Sequence, residues 1–270
     1  MKDQVDILLA VFNAEKYLKE QLTSLYGQSH LQWNLIIRDD CSTDHSLDLL
    51  LTEAAAWPSR VTLLDNGEQN LGASRNFGRL MSYSASQYIM FCDQDDVWLS
   101  HKVETTLRKM QQMEQLFGRE MPLLVHTDLT VTDDELKAVC DSLWRYQLSD
   151  PEKGCQLNRL LMQNVATGCT MMINRPLLEL ACPIPAAAIM HDWWLALTAA
   201  TFGKIGTISE ATILYRQHGS NDTGARKWDW TALARALFNR KELAKHLSRN
   251  KNERCRVQAQ ARAFMDRYHH

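Results

Sequence analysis

The first hundred residues alternate between short apolar runs and helix-spaced segments, and this alternation constrains the chain more than any other feature. Val5 to Phe12 is apolar except for Asp6, the pattern of a strand buried on both faces. Asn13 follows as a helix cap, and Leu18, Leu22 and Leu25 then recur at helical spacing. Leu35-Ile36-Ile37 predicts a second strand, ending in Arg38-Asp39-Asp40, and Ser42, Thr43 and Asp44 cap a helix running to about Ala56. Val61 to Leu64 predicts a third strand, a helix follows from about Gly72 to Ser86, and Tyr88 to Cys92 predicts a fourth strand. The order β-α-β-α-β-α-β implies an α/β fold with a mostly parallel sheet covered by helices.

Ligands of such sheets bind beyond the carboxyl ends of the strands. Asn13, Asp39-Asp40 and Asp93-Gln94-Asp95-Asp96 all fall there. The last cluster is the sharpest, because carboxylates that close repel one another and lose hydration unless a cation joins them. Oxygen ligands favour magnesium, manganese or calcium, and such an ion suits a phosphate-bearing ligand. A solvated turn after a strand is the plain alternative. The first strand lacks G-x-G-x-x-G and the chain lacks G-x-x-x-x-G-K-[ST], which disfavours a dinucleotide site and a P-loop.

After residue 100 the order loosens. A helix is predicted from Ser100 to about Phe117 and a strand over 123–126, followed by an irregular segment over 133–153. Thr170 to Ile173 reads as a strand, and Ile213 to His218 closes the core.

Hydrophobic residues make up 45% of the chain, enough for a full core. The longest uncharged apolar stretches, 180–190 and 193–203, are too short to cross a bilayer. The first strand pattern begins almost at once, with no signal-like segment ahead of it. Seven cysteines without a C-x-x-C pair point to reduced thiols, so a cytoplasmic location is expected.

The net charge of −2 hides an asymmetry: residues 225–270 hold 12 Lys/Arg against 4 Asp/Glu, a net of +8. The remaining residues hold 18 against 28, a net of −10. Trp230, Leu233, Ala234, Leu237 and Phe238 form a helical stripe in this tail, interrupted by Lys241. The tail, 225–270, is therefore read as a basic amphipathic unit beside a body of 1–224. It would lie on an anionic membrane surface or dock on the body. The acidic body argues against nucleic acid as a partner.

Ala10-Val11-Phe12-Asn13, Asp39-Asp40-Cys41-Ser42-Thr43-Asp44, Asn70-Leu71-Gly72, Asp93-Gln94-Asp95-Asp96, His191-Asp192-Trp193-Trp194 and Tyr215-Arg216-Gln217-His218 occur in that order. Together they resemble the family 2 inverting glycosyltransferases of the GT-A fold over roughly residues 4–221. FCDQDDVW with HDWW and YRQH looks most like bacterial rhamnosyltransferases that use dTDP-L-rhamnose to build surface polysaccharide such as lipopolysaccharide O-antigen. The resemblance implies a dTDP- or UDP-sugar donor, a saccharide or polyprenyl-diphosphate-linked acceptor, and a divalent cation, Mn or Mg.

It also implies roles, residue by residue. Asp40 matches the acceptor of the pyrimidine imide N–H, Asp93 the residue near the ribose, and Asp95 the ligand of the metal that bridges the diphosphate. Asp192 matches the catalytic base, with His191 beside it to orient it. Phe12 sits where the family puts a ring against the base, or packs in the core. Asn13 borders the same nucleotide-sugar site, and Arg75 would approach the diphosphate or form a surface ion pair. His218 would complete the metal shell or contact the diphosphate, and Gly219-Ser220-Asn221 would let this segment close over the donor. Thr167-Gly168-Cys169 matches the strand edge on the acceptor side, and of Trp193 and Trp194 one would stack on a sugar and one enter the core. Cys41 replaces the usual Gly or Ala of D-D-x-S, and an ordinary turn is expected there.

Two other readings compete. A nucleotidyltransferase also uses a divalent ion at a sheet rim but needs a glycine-rich basic loop, where this chain has Asn13-Ala14-Glu15-Lys16. A non-catalytic calcium- or carbohydrate-binding protein would leave Asp192 without a purpose.

Overall fold

The computed structural model describes residues 3–65, 67, 69–219 and 240–269. The predicted alternation is present: β1 (Val5–Val11), α1 (Leu18–Tyr26), β2 (Trp33–Asp39), α2 (Ser46–Ala56), β3 (Val61–Leu63), α3 (Ala73–Met81) and β4 (Tyr88–Cys92). These strands are parallel, in the spatial order β3-β2-β1-β4. The third helix stops well short of Ser86, since the chain from Ser82 to Gln87 turns back to enter β4.

That turn explains how Asp6 is tolerated inside a central strand. Its buried carboxylate accepts bonds from Ser84 Oγ (2.8 Å), Ala85 N (3.0 Å), Ser86 N (3.0 Å), Ser86 Oγ (2.7 Å) and Asn34 Nδ2 (3.1 Å). Burial alone would raise its pKa, but these donors bring it below the ordinary carboxylate value.

The second half mixes directions. β5 (Val97–Trp98), α4 (Lys102–Phe117), β6 (Leu123–Thr132) and β7 (Ala138–Cys140) precede three single-turn helices: α5 (Leu143–Tyr146), α6 (Pro151–Gly154) and α7 (Leu157–Leu160). Then come β8 (Met171–Asn174), α8 (Arg175–Ala181), α9 (His191–Phe202), β9 (Lys204–Arg216) and α10 (Arg240–Tyr268). β8 inserts antiparallel between β4 and β6, β9 runs parallel to β6, and β5 and β7 add antiparallel edges. β6 and β9 are much longer than the sequence pattern predicted, because their polar residues Thr127, Asp128, Thr132 and Thr212 are buried and hydrogen-bonded.

Alternate residues of β1 feed two cores, as the period of a strand requires. Ile7, Leu9 and Val11 face α1, α2 and α4. Leu8 faces the other side with Phe77, Phe91, Leu177, Trp194 and Phe264. Phe264 belongs to α10, so the far end of the basic tail docks on the body. Tyr268 Oη donates to Leu180 O at 3.0 Å, Arg267 Nη1 to Pro183 O at 2.6 Å, and Gln260 Oε1 accepts from Ile189 N at 2.8 Å. The stripe from Trp230 to Phe238 and Ser220-Asn221 lie outside the described residues. Among the described residues no helix is long and apolar enough to cross a membrane.

Candidate active site

A cleft of about 320 Å³ opens at the carboxyl ends of β1 and β4, lined by Phe12, Asp40, Asp93, Asp95, Thr167 and Asp192 among others. Residues far apart in sequence meet there because β4 lies beside β1, and because the turn before β8 packs on the start of α9.

The β1 end is clamped from the acidic loop. Gln94 Oε1 accepts from Phe12 N at 2.6 Å, and Gln94 Nε2 donates to Phe12 O at 3.0 Å. Phe12 is 44% exposed and lines the cleft, so it is not a core residue. Asn13 is no helix cap: α1 starts at Leu18, and Asn13 takes a left-handed φ of 50° that asparagine tolerates. Its Oδ1 accepts from Thr43 N at 2.8 Å and its N–H donates to Ser42 Oγ at 2.8 Å, which ties the turn after β1 to the turn after β2.

Asp40 lines the cleft, but its carboxylate is already engaged. Arg38 Nη1 donates to it at 2.6 Å, Leu71 N at 2.9 and 3.0 Å, and Gly72 N at 2.7 Å. In this state it organises the Asn70-Leu71-Gly72 turn. Arg75 is exposed and folds back, its Nε donating to Leu71 O at 3.0 Å, and it is not among the cleft-lining residues. Cys41 overturns the expectation of an ordinary turn. Its φ is 65°, a left-handed conformation that is strained for a side chain with Cβ.

The acidic loop offers donors for a cation. His218 Nε2 and Asp95 Oδ2 form a hydrogen-bonded pair 2.8 Å apart, both side chains nearly buried, which sets an imidazole beside a carboxylate at the cleft. The His218 ring stacks on Tyr17 at 4.7 Å, and Tyr17 Oη donates to Asp134, which fixes the imidazole. Behind them, Asp93, Asp96 and Cys169 bring ligand atoms within 4.8 Å of one another, and Asp96 Oδ2 is buried with no hydrogen-bond partner among the described residues. This mixture of oxygen and nitrogen donors fits a divalent ion of the manganese or magnesium kind, with Asp95 and His218 as holders and Asp93 and Asp96 beside them. Lys102 lies buried under the same loop, 4.6 Å over the Trp98 ring, and desolvation lowers its pKa to about 8. The sequence marks Gln94 only as a member of the acidic cluster, not as the clamp on Phe12, and does not mark Lys102 at all.

Across the cleft, Asp192 occupies the first turn of α9. Its Oδ2 accepts from Gly168 N at 2.9 Å and its Oδ1 from Trp193 N at 2.5 Å. Burial pushes its carboxyl up to about 6 against these bonds, within the range of a general base at neutral pH. Gly168 permits the approach, since a Cβ there would lie 3.1 Å from His191 Nε2 and 3.4 Å from Asp192 Cβ. His191 does not orient Asp192 through a hydrogen bond, because neither of its ring nitrogens has a partner among the described residues. Cys169 is wholly buried and its thiol is pushed well above the usual range, so it is no nucleophile.

The tryptophans depart from expectation. Trp194 is fully buried, its Nε1 on Ala181 O at 3.1 Å and its ring against Phe264 and Tyr268, so it is core and not an acceptor-side contact. Trp193 is half-buried with Nε1 on Leu160 O at 2.5 Å. Neither is among the cleft-lining residues; Thr167 is.

The curled, mostly parallel sheet flanked by helices, with a cleft at the carboxyl ends of β1 and β4, is the fold of the GT-A type. The chain belongs to glycosyl transferase family 2, whose profile matches residues 6–179. It is 28% identical over 253 residues to the dTDP-rhamnosyl transferase RfbG of Shigella flexneri, covering 88% of this chain and 82% of that protein. Its fold matches S. aureus TarS 1-349 in complex with UDP-GlcNAc with a TM-score of 0.59 at 16% identity, over 81% of this chain and 60% of that one. It also matches the mannosyltransferase PcManGT of Pyrobaculum calidifontis, in complex with GDP-Man and Mn2+, at TM-score 0.59 and 15% identity, over 92% of this chain and 65% of that one. The chain thus spans somewhat less than two thirds of both structures.

Proposed function

We propose that this protein transfers a sugar, with inversion, from a nucleoside-diphosphate sugar to a hydroxyl of a saccharide or polyprenyl-diphosphate-linked saccharide in surface polysaccharide synthesis. The observation that carries the reading is that one cleft is lined both by the Asp93/Asp95 rim and by Asp192, whose carboxyl desolvation pushes up to about 6. The acceptor oxygen attacks the anomeric carbon while the bond from that carbon to the diphosphate breaks. Its proton passes to the Asp192 carboxylate, and the bonding pair leaves on the diphosphate. Asp192 is held ready by the N–H groups of Gly168 and Trp193. Asp95 and His218 would hold a divalent cation, which would supply charge neutralisation at the diphosphate. Phe12 offers its exposed ring to the base, and Asp40 its carboxylate to the base edge.

The donor we favour is dTDP-L-rhamnose, supported by the FCDQDDVW, HDWW and YRQH motifs and by likeness to a dTDP-rhamnosyl transferase. A UDP-sugar is the second reading, supported by the fold shared with a UDP-GlcNAc complex. Calorimetric titration with dTDP and UDP, each with and without manganese, tests both. Metal-dependent binding of dTDP in preference to UDP is expected. Preference for UDP replaces the donor, and binding of neither overturns the transferase reading.

The reaction belongs on the cytoplasmic face of the membrane, with the basic tail as a peripheral contact. Its net charge of +8 supports this. Reversal of Arg226, Lys227 and Arg235 to Glu leaves the docked end of α10 untouched and should release the protein from anionic vesicles. Unchanged cosedimentation removes the membrane from the proposal.

A further inference from the structure

His191 is 2% exposed, lies on the cleft, and carries two buried ring nitrogens without a hydrogen-bond partner among the described residues. Its ring is fixed by apolar contacts alone, 4.1 Å between centroids to Phe77 and 5.0 Å to Phe91. Phenylalanine or leucine would fill this slot without stranding polar atoms. A buried nitrogen left unpaired keeps its desolvation cost with nothing to offset it, and this ring carries two of them beside the candidate site. The backbone also makes room for the ring: position 168 is glycine, where a Cβ would crowd Nε2 at 3.1 Å.

Resting on the transferase reading above, we propose that His191 is a specificity-determining contact that hydrogen-bonds a hydroxyl of the transferred sugar. Its location supports the choice of ligand. Phe91, which the His191 ring packs against, lies on the strand that leads to Asp93, Asp192 is the next residue in the chain, and His191 lines the same cleft as both aspartates. The donor's sugar must lie in this cleft for the acceptor oxygen beside Asp192 to reach the anomeric carbon. Desolvation lowers the His191 pKa to about 3, so the ring is neutral at working pH. A neutral imidazole has one donor and one acceptor nitrogen, and a hydroxyl is also both, so the two match in a way that a phosphate oxygen, which only accepts, does not.

The test uses the full chain, with dTDP, dTDP-L-rhamnose, UDP and UDP-glucose as probes. Wild type first identifies the nucleotide that binds; if none does, the donor reading falls and His191 with it. His191→Phe keeps the ring packing and removes the nitrogens. It is expected to leave the affinity for the bare nucleoside diphosphate within about twofold and to weaken the matching nucleotide sugar about tenfold. Its midpoint of thermal unfolding should hold or rise, and His191→Asn, which restores a donor and an acceptor, should recover part of the sugar's contribution. Equal binding of the nucleotide sugar by wild type and His191→Phe, with unchanged kcat/KM, overturns the proposal. Loss confined to KM for the acceptor, with donor binding intact, also overturns it by assigning the hydroxyl to the other substrate.

Discussion

The two sides of the cleft are prepared by opposite physical means. On the donor side, polar groups are held by direct hydrogen bonds and ion pairs: Asp40 by Arg38 and two backbone N–H groups, and Asp95 against His218. On the acceptor side, desolvation moves both Asp192 and His191 toward their neutral forms, against the two backbone bonds that Asp192 accepts. A side built of paired charges suits the binding of an anionic diphosphate with a cation. A side built of desolvated groups suits a proton transfer, in which a group must change charge during the reaction. The comparison teaches that lesions on the first side should appear chiefly in binding, and lesions on the second chiefly in turnover.

The largest effect is expected from Asp192→Asn. The amide keeps the shape but cannot take a proton, so kcat should fall about 10³-fold, within the usual span for a general base. Donor affinity measured by calorimetry should stay within a few-fold. If donor binding collapses while residual kcat is high, the division between the two sides is wrong.

Asp95→Ala should act the other way. Metal-dependent nucleotide binding should weaken about 10²-fold, with His218→Ala a milder version of the same loss. Cys169→Ser tests the rival donor set of Asp93, Asp96 and Cys169. Retained manganese dependence in Asp95→Ala together with its loss in Cys169→Ser would move the ion to that set.

The pH profile separates the sides without mutation. Asp192 must be ionised to act, so kcat should rise with pH around an apparent pKa of about 6 and fall about tenfold per unit below it. In stability the sign is reversed. A carboxyl whose folded pKa is raised binds more protons folded than unfolded, so its contribution to stability falls as pH rises between about 3.8 and about 6. A flat kcat from pH 5 to 7 would mean that another group takes the proton.

The donor side was legible in the sequence and the acceptor side much less so, for a physical reason. β1 to β4 are parallel strands buried on both faces, so each reads as an apolar run, and each ends where polar residues begin. The positions of Asp93 and Asp95 follow from that alone. Asp192 was reached through the HDWW resemblance, because nothing local says that Gly168 and α9 meet. β6 and β9 hide polar residues inside the sheet, which shortened the expected strands, and Trp194 is buried by Phe264 from seventy residues away. Asp40 was legible as a site residue, but its engagement with Leu71 and Gly72 is a tertiary fact, as is the His191 ring left with bare nitrogens.

The smallest effect sharpens the comparison most finely. Cys41 sits between Asp40 and Ser42 at a φ of 65°, where a residue with Cβ carries about 1–2 kcal/mol of strain. Cys41→Gly relieves it, although the unfolded chain gains freedom worth about 0.4–1 kcal/mol in the opposite direction. The net expectation is a stabilisation of up to about 1 kcal/mol, or a rise in Tm of about 2–4 °C for a domain of this size. The Asp40 bonds to Leu71 and Gly72 do not involve the Cys41 side chain, so nucleotide affinity should hold. Weaker nucleotide binding by a more stable Cys41→Gly protein would show that the donor side relies on a strained turn to aim Asp40, and that its paired charges alone do not set its geometry.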